Sequence, residues 1–183
     1  MKTPVDHYTI TDQLKDGRSV TFRAIRSSDK PVLQDVLHHL SPQSIYFRFL
    51  TSKKELSDKE LVYFTEVDHF HHVALVASVP HKGEMMPVGV GRYIMSKIPY
   101  SDDAEVAFTV EDEFQGLGIG TLLFKHLKEI ALDAGIKTFT ALVLPENQRM
   151  LKVFESAGLP MRQKYNAVGV LEIAIDLTGQ NQP

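Results

Sequence analysis

Apolar positions along the chain follow two periods in turn, and each change of period marks an element. Residues 19–25 alternate apolar and polar side chains, which predicts a half-buried strand. Ser28-Asp29 offers a helix cap, Pro31 suits a first turn, and Val32, Leu33, Val36, Leu37 and Leu40 recur at helical spacing. Ser41-Pro42 restarts a helical segment that carries Ile45, Tyr46, Phe47, Phe49 and Leu50. A third start at Ser57, with Glu60 three residues on, has the pattern of a capping box ahead of Leu61, Val62 and Phe64. The middle reads as a β-meander, with strands over 72–79, 87–95 and 104–110 and a turn at 80–84. Leu122, Leu123, Leu127, Ile130 and Ala131 share one face of a helix predicted from about 118 to 134 and closed by Gly135. A strand over 137–144, a helix over 147–157 closed by Gly158, and a terminal strand over 168–177 complete the order. Residues 1–17 read as an N-terminal extension, 18–177 as one domain, and 178–183 as a disordered tail.

One junction carries chemistry. The strand Ala104-Glu105-Val106-Ala107-Phe108-Thr109-Val110 leads through an acidic loop into Gln115-Gly116-Leu117-Gly118-Ile119-Gly120-Thr121, a glycine-rich turn that opens a helix. Such a turn leaves backbone N–H groups unobstructed, at the positive end of the helix dipole, and so suits a phosphate-bearing ligand. The Walker A pattern fails here, because Gly120 is followed by Thr121-Leu122 rather than Lys-Ser or Lys-Thr. The dinucleotide fingerprint fails as well, because Thr121 stands at its third glycine and the turn lies two-thirds of the way along the chain.

Composition narrows the rest. The 183 residues, 43% hydrophobic and 23% charged, suit one globular domain. A net charge of −3 without a dense Lys/Arg block argues against nucleic acid as a partner. Apolar runs are short of a membrane span and no signal-peptide pattern opens the chain, which makes the cytoplasm the expected compartment. The chain has no cysteine, so disulfides, thiolate metal sites and a cysteine nucleophile are all excluded.

Gln115, Gly118 and Gly120 match the acyl-CoA signature Gln/Arg-x-x-Gly-x-Gly/Ala, and in this the chain resembles the GNAT N-acetyltransferases. The element order over 18–177 is similar to that of the GNAT fold, an α/β (α+β) architecture. It has a mixed central sheet flanked by helices, in which the strand before the glycine turn splays from the strand after its helix. Residues 41–49, 64–68 and 73–77 further resemble the catalytic domain of bacterial Pat-type protein lysine acetyltransferases. That domain is usually joined to a larger regulatory region, which 183 residues do not include, so regulation does not carry over.

The resemblance implies acetyl-CoA as cosubstrate and assigns roles. Glu105 resembles the family's general base; the alternative is an exposed carboxylate at a strand start. A base is needed because a lysine ammonium, with pKa about 10.4, is almost wholly protonated at pH 7. Burial raising the carboxylate to roughly 6–7 would suit that role. Phe108, Thr109 and Val110 are implied to offer backbone groups to the pantetheine arm, with one N–H polarising the thioester carbonyl. Gly116, Leu117, Gly118, Ile119, Gly120 and Thr121 would hold the pyrophosphate, with Gln115 at the head of the motif. Asn147 matches an asparagine that contacts the cofactor arm, or is a simple N-cap. In such an enzyme the acetyl group could not rest on a cysteine, so direct transfer in a ternary complex is the expected route. The expected acceptor is a protein lysine; a small-molecule amine, or a non-catalytic acyl-CoA-binding regulator, is the alternative, and monomer and homodimer both stay open.

Three features stand apart from that scheme. Many family members have a tyrosine acid where this chain has Phe154; Tyr165 or a water is a substitute that nothing in the sequence singles out. Glu111, Asp112 and Glu113 are either a solvated loop or an acidic lip for a cationic amine. His69, His71 and His72 lack the spacing of a helical zinc pair, so no metal is expected and a surface loop is the reading.

Overall fold

The computed structural model describes residues 4–179. Its elements are β1 (Thr9–Gln13), β2 (Ser19–Ala24), α1 (Lys30–His38), α2 (Pro42–Phe49), α3 (Asp58–Thr65), β3 (His72–His81), β4 (Glu84–Met95), β5 (Asp103–Val110), α4 (Ile119–Asp133), β6 (Thr138–Val143), α5 (Gln148–Ser156), β7 (Met161–Tyr165) and β8 (Leu171–Asp176). The eight strands form one sheet in the order β1-β2-β3-β4-β5-β6-β8-β7. Every neighbouring pair is antiparallel except β5 and β6.

Alternation within the central strands separates two apolar cores. Val73, Leu75, Tyr93, Ala104, Val106 and Phe108 face the core that α4 closes through Leu123, Phe124 and Leu127. Ala74, Val76 and Val90 face the other side, where Leu33, Leu37 and Leu61 of α1 and α3 cover them. Gly91 is what lets α4 lie close against the sheet. A β-carbon there would stand 2.9 Å from the Phe108 ring and 3.2 Å from Leu123. The register between β3 and β4 shifts at Ala77/Ser78, leaving Val88 as an extra residue on β4.

The helix starts obey local chemistry. Ser57 and Glu60 form the reciprocal capping box of α3. Ser41 accepts the Ser44 N–H at the start of α2, and Leu50, at φ 57°, ends that helix. Asp29 differs from its expected role as a cap. It makes no side-chain cap to α1 and instead takes the Arg23 guanidinium on both oxygens, at 2.7 and 2.9 Å, and the Arg26 N–H at 2.8 Å.

Two polar strands escape the sequence pattern. Residues 9–13, placed in an N-terminal extension on sequence grounds, pair with β2 as an edge strand. The buried His126 of α4 fastens this segment, lying 2.9 Å from the Tyr8 hydroxyl and 2.6 Å from Asp12. At the opposite edge, the single strand expected over 168–177 is half of a hairpin, with β7 over Met161–Tyr165 pairing β8. The tail from 180 onward lies outside the described residues. Among the described residues no helix is long and apolar enough to cross a membrane. His126→Ala is expected to cost about 2–4 kcal/mol, because a buried ring and two hydrogen bonds are lost together. Urea unfolding measures this, and a loss below about 0.5 kcal/mol, the range of ordinary surface changes, would show that β1 is not tied down in this way.

Candidate active site

The site begins where two parallel strands part. β5 and β6 are in register only at Asp103–Thr138, Ala104–Phe139 and Glu105–Thr140, and beyond Glu105 each strand keeps only its antiparallel partner. Antiparallel pairing commits the peptide groups of every second residue to the neighbouring strand. The bonds from Glu111 N–H to Val88 O and from Ser96 N–H to Asp103 O fix which residues these are. Glu105, Ala107 and Thr109 turn their peptide groups to β4, in register with Ile94, Arg92 and Val90. The last β5–β6 pair, Glu105–Thr140, uses the Val106 N–H, so the Val106 C=O and both peptide groups of Phe108 and Val110 turn into the fork. The side chain of Gln115 takes up one of them, donating to Val110 O at 2.9 Å. Of the three residues expected to present backbone to an acyl chain, Phe108 and Val110 turn theirs to the fork and Thr109 does not; Val106, not anticipated, turns its C=O there.

The glycine turn closes the far end of the fork. Gly116 and Gly118 sit at φ 80° and 101°, which L side chains rarely adopt. Gly118 is the N-cap of α4, with no side chain capping the helix. The first intrahelical bond runs from Leu122 N–H to Gly118 O, so the N–H groups of Gly118, Ile119, Gly120 and Thr121 have no intrahelical acceptor. Ile119 and Leu117 point their side chains into or against the core, leaving only backbone for a ligand. Gly120 also keeps α5 close, since a β-carbon there would come within 3.1 Å of Val153 on that helix. The Gln115 side chain also lies 3.4 Å from Ser44 and accepts a bond from Arg149, which binds the turn to α2 and to α5.

Fork and turn share one open cleft of about 890 Å³, walled on one side by α2 and on the other by the start of α5. That volume is within the range of small-molecule sites. Residues Glu105, Phe108, Gly118 and Asn147 all line it. A row of free peptide groups ending at an uncapped helix N-terminus suits an amide-bearing arm that ends in phosphate. Acetyl-CoA has that form, so the residues present fit it.

Glu105 occupies the crotch of the fork, the last residue of β5 paired with β6. The burial expected of its carboxylate is not observed; in the free protein Glu105 is exposed to the cleft. Arg48 of α2 lies close enough for Glu105 to stabilise its charge, while burial works against that charge. Asn147 N-caps α5, its side-chain oxygen accepting the Met150 N–H at 3.1 Å, which leaves the amide NH₂ as the group a ligand can use. Phe154 is 2% exposed and packs its ring between Phe108 and Phe124, so it supplies no proton. Tyr165 stands 66% exposed on β7, and no tyrosine is among the described residues that line the cleft.

The acidic loop is neither a solvated run nor a lip. Asp112 accepts from Ser41 N–H, Ser41 Oγ and Ser44 Oγ at 2.8 to 3.0 Å, fastening the start of α2 to the end of β5. Burial raises its pKa, but those bonds outweigh burial and hold it below the usual carboxylate range. Glu111 is buried against His39 at 3.2 Å, and burial pushes its pKa up. Only Glu113 is exposed.

The histidine cluster is likewise partly internal. His71 pairs with Asp68, whereas His72 Nε2 lies 3.0 Å from the guanidinium of buried Arg92. Among the described residues no three His, Asp or Glu side chains converge as a metal site. Burial, then the Arg92 charge, lowers the His72 pKa from 6.5 to about 4. The unfolded chain therefore binds a proton between pH 6.5 and 4 that the folded protein refuses. The resulting stability is complete above pH 6.5 and is lost as pH falls toward 4, by an amount on the order of 2 kcal/mol for this half-buried ring. Urea melts at pH 6.5 and 4.5 measure it, and His72→Gln is expected to flatten the difference between them.

Sequence reasoning missed Lys15, Arg48, Arg92 and Arg149. Lys15 comes from the β1–β2 turn, donates its N–H to Leu117 O at 3.1 Å and lays its side chain beside Gly118. No periodicity announces a lysine in a polar hairpin as a neighbour of a turn a hundred residues away.

The fork, the glycine turn and the two-sided sheet define an acyl-CoA-dependent acetyltransferase. The chain matches the acetyltransferase (GNAT) family over residues 34–159. It belongs to that family, whose members use acetyl-CoA, and is an N-acetyltransferase. The particular relatives are bacterial. It is 32% identical to acetyltransferase PA5475 of Pseudomonas aeruginosa over 145 residues, 79% of this chain and 76% of that one. It is 34% identical to acetyltransferase Pat of Mycolicibacterium smegmatis over 146 residues, 80% of this chain but 43% of Pat. The solved GNAT domain of S. lividans PAT superposes with a TM-score of 0.81 at 32% identity, covering 92% of this chain and 96% of that domain. The similarity to the Pat catalytic domain read from residues 41–77 is borne out by these relatives. YncA of Salmonella typhimurium, solved with its cofactor acetyl-CoA, shares the fold at a TM-score of 0.71 and 16% identity, over 90% of this chain and 97% of that one.

Proposed function

We propose that the protein moves the acetyl group of acetyl-CoA onto the side-chain amine of a protein lysine, by direct transfer in a ternary complex with Glu105 as general base. The observation that carries this reading is the place of Glu105, at the parting of β5 and β6 and exposed to the cleft. An acceptor amine reaching the fork meets that carboxylate and the free peptide groups of β5 together. Kinship with Pat supports lysine as the acceptor.

Bound acetyl-CoA supplies an activated acyl thioester; the chain supplies everything else. Gly116 to Thr121 hold the phosphates by backbone N–H groups and the helix dipole. The N–H groups of Phe108 and Val110 face the fork, where one donates to the acyl oxygen as negative charge develops there. Glu105 takes the proton from the ammonium, directly or through a water, and so frees the nitrogen lone pair for attack. A departing thiol with pKa near 8.5 can leave without a dedicated acid, in keeping with phenylalanine at position 154. The proposed compartment is the cytoplasm, in keeping with a chain free of cysteine.

A small-molecule amine is the second reading. It is favoured by 32% identity over 59 residues to the putative phosphinothricin acetyltransferase YwnH of Bacillus subtilis, a match covering 32% of this chain. Incubating the protein with labelled acetyl-CoA and a bacterial extract separates the two. Label on protein lysines is the expected result; label confined to small amines supports the second reading, and no transfer contradicts both.

A further inference from the structure

Two arginines stand beside the acceptor end of the cleft, and among the described residues no carboxylate is within ion-pair distance of either, Glu105 acting on Arg48 only from farther off. Arg92, on β4, is 5% exposed. Its neighbours across the sheet are Ala74 and Ala107, whose small side chains leave it room on the α1–α3 face. Its guanidinium lies 4.5 Å from the centre of the Phe64 ring and donates to Phe64 O at 3.1 Å, with His72 Nε2 at 3.0 Å. These partners are all neutral. Arg48, near the end of α2, lies over the Phe49 ring at 5.0 Å and makes no ion pair at 4.0 Å or less among the described residues. The two guanidiniums are close enough to oppose each other's charge. Both face a small cavity of about 40 Å³, which Thr109 also lines and which adjoins the main cleft at Arg48 and Thr109.

Buried charge of one sign is costly unless an anion answers it. The cavity has room for one or two waters or a single carboxylate. A planar carboxylate is also what a guanidinium fork binds on two bonds at once. Glu105 projects from the same face of β5 as Ala107 and Thr109, so the small cavity and the carboxylate that takes the proton share one wall.

We propose that Arg48 and Arg92 form an anion subsite of the acceptor cleft, and that the acceptor carries a carboxylate able to reach this subsite while its amine is at the fork. This deepens the function proposed above and rests on it: a lysine followed by a glutamate or aspartate is then a better acceptor than one in a neutral context. Free lysine, which carries its own carboxylate, presents the same chemistry.

Two measurements test this apart from the reading beneath it. The first requires no catalysis. Sodium acetate titrated into the free protein is expected to shift two arginine Nε–H resonances saturably. One of the two is expected to disappear in Arg48→Lys and the other in Arg92→Lys, variants that keep the charge but lose the fork. The absence of any saturable shift, or shifts that survive both substitutions, overturns the subsite. The second compares acceptors. A peptide with Lys-Glu against its Lys-Gln counterpart, and free lysine against cadaverine, are each expected to differ by about tenfold in kcat/KM. Arg48→Gln is expected to shrink that ratio to within about twofold; equal rates for each pair in the unaltered protein overturn the proposal. Which pair shows the larger ratio identifies the source of the carboxylate. If none of the four is acetylated, the proposed function fails while the acetate titration still decides the subsite.

Discussion

Glu105→Gln is expected to lower turnover by about 10²–10⁴-fold, the usual worth of a positioned general base. The affinity for acetyl-CoA is expected to stay within about threefold. The two effects separate because of where the residue sits. Glu105 directs its peptide groups to β4 and its carboxylate to the cleft, so the amide replacement leaves the fork, the ladder and the glycine turn as they were. What it removes is the carboxylate proposed to accept the ammonium proton. Stopped-time acetylation assays give the first number and calorimetry the second. Turnover within threefold of the unaltered protein would make the carboxylate dispensable.

Gly118→Val is expected to do the reverse. At φ 101° a β-branched residue is strained by roughly 1–3 kcal/mol, and relief of that strain rotates the N–H groups that open α4. The dissociation constant for acetyl-CoA is expected to rise by about 10–100-fold, equivalent to roughly 1.4–2.7 kcal/mol. At saturating acetyl-CoA the turnover is expected to recover to within a few-fold, because Glu105 and the fork are untouched. An unchanged dissociation constant would mean that the phosphates are held elsewhere.

These two variants divide the site as the sequence itself does, into a carboxylate on a strand and a cradle at a helix start. Both were legible because each has a local signature: alternation for β5, and glycines before an amphipathic run for α4. The central strands and the α3 cap were legible for the same reason. What stayed hidden was set by tertiary packing. β1 and β7 are edge strands with mostly exposed side chains, so neither has an apolar face to betray its period. Asp29 has the sequence context of a helix cap, yet Arg23 claims it from the neighbouring strand. Asp112 reads as one of three solvated acids until α2 folds onto it and Ser41 and Ser44 supply three donors. The exposure of Glu105 and the pairing of Arg48 with Arg92 depend on how α2 lies over the sheet, which no spacing encodes. Thr109 was misjudged for a different reason. Its backbone is committed to Val90 by a parity that only the register at Glu111 and Ser96 reveals.

That parity exposes the central claim to direct measurement by amide hydrogen exchange along β5, with and without acetyl-CoA. Ala107 and Thr109 are expected to be protected in both states. Phe108 and Val110 are expected to exchange quickly in the free protein and to slow by at least about tenfold once the fork is filled. Equal protection of all four amides in the free protein, or no slowing at Phe108 and Val110 on adding acetyl-CoA, would contradict a cleft built on parted strands.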